Sequence, residues 1–169
     1  MESIIHPIEP VWDSNSKILI LGSFPSVKSR EQGFFYGHPQ NRFWRVLAGV
    51  FGGEAPNCIE DKKRFLIENN IALWDVIHSC EIEGSSDSSI KNAVPNDING
   101  IINSSNIQSV FTNGKTANKL YKMYIYPLTN IEAVCLPSTS PANAAWSLDR
   151  LIEEWRREII PPSLRDTSL

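Results

Sequence analysis

Short apolar runs alternate along the chain with segments of helical periodicity. The apolar runs are "KILILG" (17–22), "IALWDVI" (71–77), "IQSVFTN" (107–113) and "IEAVCLP" (131–137). Each is rich in strand-forming residues and ends in turn or polar residues, which is the pattern of a β-strand. Because none of them alternates strictly between apolar and polar positions, we expect strands that are covered on both faces, as in a parallel sheet.

Five segments between and after these runs have helical spacing. In the first, an apolar stripe follows Asn41 and ends at Gly52-Gly53. The stripe consists of Phe43, Trp44, Leu47, Val50 and Phe51, and the other four segments are 60–69, 95–104, 114–124 and 142–160. Strands that alternate with helices predict an α/β fold with three layers, α/β/α, around a central four-stranded parallel sheet.

Nothing in the 169 residues divides the chain, since it contains no repeat and no linker. We therefore expect a single domain over 1–169, with a core at about 15–160 and a flexible tail at 161–169. The longest irregular stretch after the opening loop is expected at 78–95. Loops of this length inside a compact domain are usually functional or mobile.

The charge and composition limit the classes of partner. A net charge of −3 counts mildly against a protein that grips nucleic acid by charge alone, so any DNA contact is expected to be small and local. No apolar run is long enough to span a bilayer and no signal peptide opens the chain, so we expect a cytoplasmic protein and, by default, a monomer. The three cysteines lack CxxC spacing and no Cys/His cluster appears, so we expect no metal.

Ligands of open α/β sheets bind outside the carboxyl ends of the strands, where 22–41, 75–95, 113–116 and 136–143 should converge. The first of these loops is expected to place four of its rings near that edge, at Phe24, Phe35, Tyr36 and His38, and it has two stiffening prolines. Rings held by a rigid loop suit a flat ligand such as a nucleobase, although any one of them could instead pack in the core. Asn41 could either cap the following helix or point its carboxamide into the cleft.

The other three loops carry polar groups whose roles stay open at this point. Asp75 is either a site carboxylate or a turn former. "NGKT" (113–116) is a turn at a helix start that favours an anion, but the full phosphate-loop motif is absent. Ser138, Thr139 and Ser140 could cap a helix or donate to phosphates, and neither GxSxG nor a Ser–His–acid set indicates a serine nucleophile.

Two of these stretches resemble the motifs of the uracil-DNA glycosylase superfamily. "GSFPSVKSREQGFFYGHPQNRFW" (22–44) is similar to the first motif, and its "HPQNRFW" resembles the HPxNRFW segment of the mismatch-specific branch. "LPSTSPANA" (136–144) stands where the superfamily has its second motif, the loop that presses into DNA. With "WDVIHSCEIEGSSDSSI" and "FTNGKTA" between them, the chain most resembles the hypoxanthine-DNA glycosylase branch, over about 15–157.

The resemblance implies a uracil-DNA glycosylase-like fold and a DNA repair enzyme without a metal or organic cofactor. Such an enzyme flips a deaminated base, hypoxanthine favoured, out of double- or single-stranded DNA and hydrolyses its N-glycosidic bond to leave an abasic site. No lysine occupies an obvious nucleophile position, so we expect a monofunctional enzyme. A mismatch-specific uracil or thymine glycosylase and, less favoured, a non-catalytic nucleotide- or nucleic-acid-binding protein are the alternatives.

The resemblance also implies roles for individual residues. Most of the superfamily has Asn, Asp or Gln two residues after the glycine of the first motif, but here that position is Phe24, so Asn41 is the predicted catalytic residue and would position the attacking water. The predicted base contacts are Gly22, Ser23, Phe24, Pro25, Phe35, Tyr36, His38, Asp75 and Asn113. The predicted DNA contacts are Ser26, Lys115, Ser138, Thr139, Ser140 and Pro141.

Overall fold

The computed structural model describes residues 3–161. Its strands are β1 (Ser3–Ile5), β2 (Ile18–Gly22), β3 (Ile71–Asp75), β4 (Ile77–Glu81), β5 (Lys91–Pro95), β6 (Ser109–Asn113) and β7 (Ala133–Leu136). Its helices are α1 (Val27–Gln32), α2 (Phe43–Phe51), α3 (Ile59–Glu68), α4 (Ile98–Asn103), α5 (Lys115–Tyr124), α6 (Tyr126–Thr129) and α7 (Leu148–Ile159), with a short 3₁₀ turn at Asp87–Ser89.

The four predicted apolar runs form one parallel sheet in the order β3-β2-β6-β7. The predicted central sheet is therefore confirmed. The register places Gly22 beside Asp75 at the end of β2 and β3, and Asn113 beside Leu136 at the end of β6 and β7. The carboxyl ends of all four strands thus meet at one edge of the sheet.

Helices cover both faces of this sheet, which confirms the predicted three layers. Alternate residues of β2 point to opposite faces: Ile20 belongs to the core under α2, α3 and α7, whereas Leu19 and Leu21 belong to the core under α4 and α5. Burial on both faces explains why the strands show continuous apolar runs. The large rings of Phe43 and Trp155 are fully buried in the first of these cores.

The stretch 78–95, predicted to be irregular, contains most of a second sheet, so that prediction is wrong. Strands β1, β4 and β5 form a three-stranded antiparallel sheet in the order β1-β4-β5. The two strands in this stretch are short, partly exposed and rich in polar residues, a composition that is typical of loops. The third strand, β1, pairs with β4 from more than 70 residues upstream, so no local pattern indicates a three-stranded sheet.

Two helix boundaries also differ from the prediction. The last helix begins at Leu148 rather than at 142, because residues 142–147 form turns and the Ser147 hydroxyl caps the helix by accepting the Arg150 N–H. The opening loop contains the short helix α1, which Ser26 caps. Of the predicted tail at 161–169, only Pro161 lies within the described residues.

Among residues 3–161, no helix has the length and apolar character that crossing a bilayer would need.

Candidate active site

A cleft of about 410 Å³ opens at the carboxyl edge of the central sheet. It is lined by every residue predicted for the site except Lys115, namely Gly22, Ser23, Phe24, Pro25, Ser26, Phe35, Tyr36, His38, Asn41, Asp75, Asn113, Ser138, Thr139, Ser140 and Pro141. Ser29, Ser85, Asp87 and Ala142 complete the lining. Lys115 is exposed at the start of α5 and borders an adjoining depression that Gly114 and Trp146 also line.

The rings of the opening loop are part core and part cleft wall. Phe24 and Phe35 are buried, and the ring of His6 lies against both, with centroid distances of 5.7 and 6.1 Å. Tyr36 stacks on Phe43 with the ring centroids 3.9 Å apart. His38 is exposed, and its Nδ1 accepts the Gln40 N–H at 3.1 Å. The cleft is therefore lined by rings whose positions are fixed by packing.

Asn41 combines the two roles that the sequence left open. Its Oδ1 accepts the Phe43 N–H at 3.0 Å, which caps α2, and the Thr139 hydroxyl at 2.8 Å. The Phe43 N–H identifies this atom as the oxygen, because an amide nitrogen could not accept there. Since Asn41 also lines the cleft, its NH₂ group is the end that remains to donate to a ligand.

Thr139 links two loops of the cleft. It is fully buried. Its N–H donates to Asn113 Oδ1 at 3.1 Å, and its Oγ1 accepts from Asn113 Nδ2 at 3.0 Å. The same hydroxyl donates to Asn41, so Thr139 joins the end of β6 to the start of α2. Its neighbours Ser138 and Ser140 are half-buried, and Pro141 is exposed.

Arg42, which the sequence analysis did not single out, fastens the second motif to the first. Its backbone N–H donates to Thr139 O at 3.1 Å. Its Nη2 donates to the carbonyls of Ser140 and Asn143 at 3.0 and 3.1 Å, and its Nη1 donates to the carbonyl of Trp146. A rigid guanidinium fork can serve several acceptors at once. The only sequence signal for this clamp is its position within "NRFW".

Asp75 is a buried site carboxylate, 3% exposed, at the last position of β3. Its Oδ2 lies 2.7 Å from His6 Nε2, and His6 Nδ1 accepts the Ile8 N–H at 3.1 Å. Because Nδ1 is an acceptor, the ring proton sits on Nε2 and is donated to Asp75. His6 was missed because a histidine in an unpatterned N-terminal segment carries no sequence signal.

A second carboxylate, Asp87, reaches the cleft from the 3₁₀ turn and was also missed. Ser23 Oγ donates to its Oδ2 at 2.7 Å. Asp87 is exposed as a residue, but the desolvation of its carboxyl group at the cleft raises its pKa; the bond from Ser23 opposes that rise, and the nearby Asp75 adds to it. Burial, and then Asp75, raise the pKa of the Tyr36 phenol, which keeps its proton.

The cleft presents rings, amide donors and two carboxylates. Such an arrangement suits a flat, neutral heterocycle that offers both hydrogen-bond donors and acceptors. Ser23 donates to Asp87 and is not paired with a histidine base, which disfavours it as a nucleophile. Within residues 3–161, no three His, Cys, Asp or Glu side chains gather as a metal ion would require.

Comparisons with known proteins agree with this geometry. The profile of the uracil DNA glycosylase superfamily matches residues 10–160. A hypoxanthine DNA glycosylase of Methanosarcina acetivorans is 36% identical over 147 residues, covering 86% of this chain and 91% of the relative. One of Methanosarcina barkeri is 35% identical over 136 residues, covering 79% and 85%.

A solved structure has the same fold. The solution NMR structure of a Methanosarcina acetivorans protein described as a candidate uracil DNA glycosylase superposes with a TM-score of 0.74 at 32% identity, covering 90% of this chain and 98% of that chain. The family profile spans both motifs of the cleft and nearly all of the described residues. The chain belongs to the uracil DNA glycosylase superfamily.

Proposed function

We propose that the protein is a DNA glycosylase that extrudes hypoxanthine from DNA and hydrolyses its N-glycosidic bond. The observation that carries the proposal is the cleft itself, in which the Asn41 carboxamide shares one space with packed rings and two carboxylates. The similar proteins from two Methanosarcina species are named hypoxanthine DNA glycosylase and cover most of the chain. The cleft suits a flat heterocycle, and the names of these relatives favour hypoxanthine as that base.

The chemistry follows from the charges that develop. As the bond between C1′ and N9 breaks, its electron pair leaves with the base and positive charge builds on the sugar. Water then adds to C1′ and releases its proton to solvent. Asn41 would hold this water through its NH₂ group, because its oxygen already accepts two bonds. An amide fixed in this way stabilises a transition state without having to reorganise.

The DNA contact is proposed to be small. Ser26, Ser138, Ser140 and Pro141 line the cleft and are half-buried or exposed, and Lys115 at the adjoining depression would bind a phosphate. Extruding a nucleotide costs a few kcal/mol, and the cost is lowest for a poorly paired base such as hypoxanthine. We further propose a monofunctional, monomeric, single-domain enzyme of the cytoplasm.

The test uses duplexes that carry one deoxyinosine, one deoxyuridine or one thymine mismatched with guanine. After incubation with the protein, alkali should break the strand at inosine, and without alkali the strand should stay intact. Breaks at uracil or thymine in place of inosine would support the mismatch enzyme instead. The absence of breaks at all three bases would overturn the proposal of a glycosylase.

An Asn41→Ala variant tests the proposed catalytic residue. We expect kcat to fall by roughly 10²–10³, the usual cost of removing one preorganised polar group. Asn57→Ala is the matched control, because Asn57 is exposed and lies outside the cleft. Single-turnover rates with saturating enzyme measure the effect, and full activity of Asn41→Ala would remove Asn41 from the catalytic role.

A further inference from the structure

The Tyr36 hydroxyl is buried at the cleft without a hydrogen-bond partner among residues 3–161. Asn113 is the side chain that approaches it, but its Oδ1 already accepts the Thr139 N–H, so its NH₂ group can only donate to the phenol oxygen and gives the Tyr36 O–H hydrogen no acceptor. A buried polar atom without a partner destabilises the folded state, so such atoms are rare in folded proteins. The orphan hydroxyl is therefore best explained by a ligand that supplies its partner.

The backbone at Tyr36 is also unusual. Its φ is +52°, in the left-handed region that residues with a side chain rarely adopt. Stacking on Phe43 at 3.9 Å and an interplanar angle of 18° holds the ring in place. Backbone strain of this kind is concentrated at binding and catalytic sites. The hydroxyl is thus aimed by a fixed ring.

The second polar atom at this place belongs to Asp75. His6 Nε2–H donates to Oδ2, and the Ile8 N–H prevents His6 from presenting its other tautomer. No hydrogen bond within residues 3–161 engages Oδ1 of the same carboxylate. His6 therefore holds Asp75 so that one oxygen is occupied and the other is presented as an acceptor.

The bare backbone of Gly22 lets both oxygens approach one point. A Cβ atom on Gly22 would lie 2.4 Å from Asp75 Oδ1 and 2.7 Å from the Tyr36 hydroxyl oxygen. Both atoms therefore flank the same glycine at the inner end of the cleft. One of these two oxygens is an acceptor and the other a donor, and both are close to the same point.

Deamination changes one edge of a base in a way that such a pair can detect. Adenine presents an amino group beside the unprotonated N1, whereas hypoxanthine presents the carbonyl O6 beside N1–H. The damaged base thus offers an acceptor next to a donor. With the C6 substituent at Tyr36, adenine would direct the N1 lone pair at a carboxylate oxygen, which is repulsive.

We propose that Tyr36 and Asp75 read this edge: the Tyr36 hydroxyl donates to O6, and Asp75 Oδ1 accepts N1–H. His6 is a positioning residue: it donates to Oδ2 of Asp75 and so leaves Oδ1 as the acceptor for N1–H. The inference rests on the proposed function, because it names how that cleft tells hypoxanthine from adenine. A site built to bond a polar group rejects an analogue that lacks it, because its own buried groups are then left unpaired.

The first test measures binding of three free bases, hypoxanthine, 1-methylhypoxanthine and purine, by the protein's intrinsic fluorescence. The wild type should bind hypoxanthine at least about tenfold more tightly than 1-methylhypoxanthine, which lacks N1–H, a difference of about 1.4 kcal/mol. In Asp75→Asn, His6 should hold the amide oxygen, so that the NH₂ group faces N1 and the preference falls below about threefold. Asp149→Asn, the same chemical change at an exposed position, should keep the wild-type preference.

Tyr36→Phe is the second variant, and it does not disturb the buried carboxylate. It keeps the ring stack and removes only the orphan hydroxyl. We expect about tenfold weaker binding of hypoxanthine and unchanged binding of purine, which has no O6. The thermal midpoint should not fall, because the lost hydroxyl has no partner in the protein; a purely structural role would lower it.

Cleavage of duplexes containing deoxyinosine or deoxynebularine by the same variants separates the two proposals. If the wild type cleaves inosine but neither variant changes the preference among the free bases, the proposal that Tyr36 and Asp75 recognise the base is overturned, and the proposed glycosylase activity is supported. If the wild type cleaves neither duplex but the variants change the base preference as expected, the proposed glycosylase activity is overturned, and base recognition by Tyr36 and Asp75 is supported. Failure of both measurements overturns both proposals.

Discussion

Gly22 is the residue on which the inner end of the cleft depends. It is the last residue of β2 and pairs with Asp75 of β3, and the space that a side chain would take is filled by Asp75 and Tyr36. No other residue type leaves room for Asp75 Oδ1 and the Tyr36 hydroxyl at their present positions. Gly22, which begins the first motif, is therefore needed because it has no side chain, and not because its backbone adopts a left-handed conformation.

Gly22→Ala should lower kcat/KM on inosine by about 10² or more, because a shift of about 1 Å in a site can cost that factor. Gly37→Ala is the control: there the added Cβ meets only the end of the Gln32 side chain, which can swing away. Steady-state kinetics and thermal unfolding are the measurements. Equal activity of the two variants would show that the spacing at Gly22 does not matter.

Asp87 makes stability depend on pH. Its pKa in the folded protein is raised above the ordinary value of 3.8, so between these two pKa values the folded state binds more protons than the unfolded state. Stability must then fall as pH rises through this window and stay lower above it. Asp87→Asn can still accept the Ser23 hydroxyl but cannot ionise, so the variant should not lose this stability as pH rises.

We expect Asp87→Asn to melt at a higher temperature than the wild type near pH 7, and the gain to vanish as pH approaches 4. Thermal unfolding from pH 4 to 8 measures the difference, with the exposed Asp149→Asn as control. If the melting temperature of Asp87→Asn exceeded that of the wild type by the same amount at every pH, the stabilisation would not come from removing the titrating carboxyl group.

At the scale of elements, Arg42 at the start of α2 decides the shape of the second motif. Its guanidinium holds three carbonyls of the segment 140–146, which has no helix or strand of its own. A lysine carries the same charge but cannot bridge carbonyls in a planar fork.

Arg42→Lys should reduce kcat/KM by about 10–100-fold and speed hydrogen exchange of the segment 138–146, since each lost bond to a charged donor contributes about 1.5–3 kcal/mol. Arg45→Lys is the control, because Arg45 is exposed on the same helix. Hydrogen-exchange mass spectrometry together with kinetics is the measurement. Unchanged exchange in Arg42→Lys would contradict the clamp.

The elements differ in how far their sequences predict them. The strands β2, β3, β6 and β7 are continuous apolar runs because both faces are buried, so their identity is visible locally. The strands β4 and β5 are neighbours in sequence but have the mixed composition of loops, and β1 joins their sheet only by pairing with the distant β4. Long-range pairing of this kind leaves no periodic trace.

The same distinction holds in the cleft. The residues that line it were predictable because the carboxyl ends of parallel strands meet at one edge of the sheet, and the motif residues come directly after those ends in the sequence. The groups that hold the lining were not predictable, because His6 meets Asp75 and Arg42 meets Trp146 across 69 and 104 residues. Thr139 differs for another reason: a hydroxyl suits both a phosphate and a buried amide, and its sequence context does not distinguish them.

At the scale of the whole molecule, the net charge of −3 limits how the protein holds DNA. With two or three phosphates neutralised, the slope of log affinity against log salt should lie between about −2 and −3. Lys115→Ala should make it shallower by about 1. Lys122→Ala, exposed in the last turn of α5, should leave it unchanged.

Fluorescence anisotropy with a duplex carrying 2′-fluoro-deoxyinosine, whose glycosidic bond resists cleavage, measures this slope from 50 to 200 mM salt. A slope steeper than about −6 would mean an extensive basic surface and would contradict the small contact.

The clamp from Arg42 to the segment 140–146, together with the bond between Thr139 and Asn41, joins positions about a hundred residues apart. A chain cut between these positions, in the exposed turn near Gly53, would leave the first motif on one fragment and the second on the other. Neither fragment would contain a complete cleft. Base excision should then appear only when the two fragments are mixed and reassociate. The activity could therefore serve as a split-enzyme assay of whether two fused partners bring the fragments together.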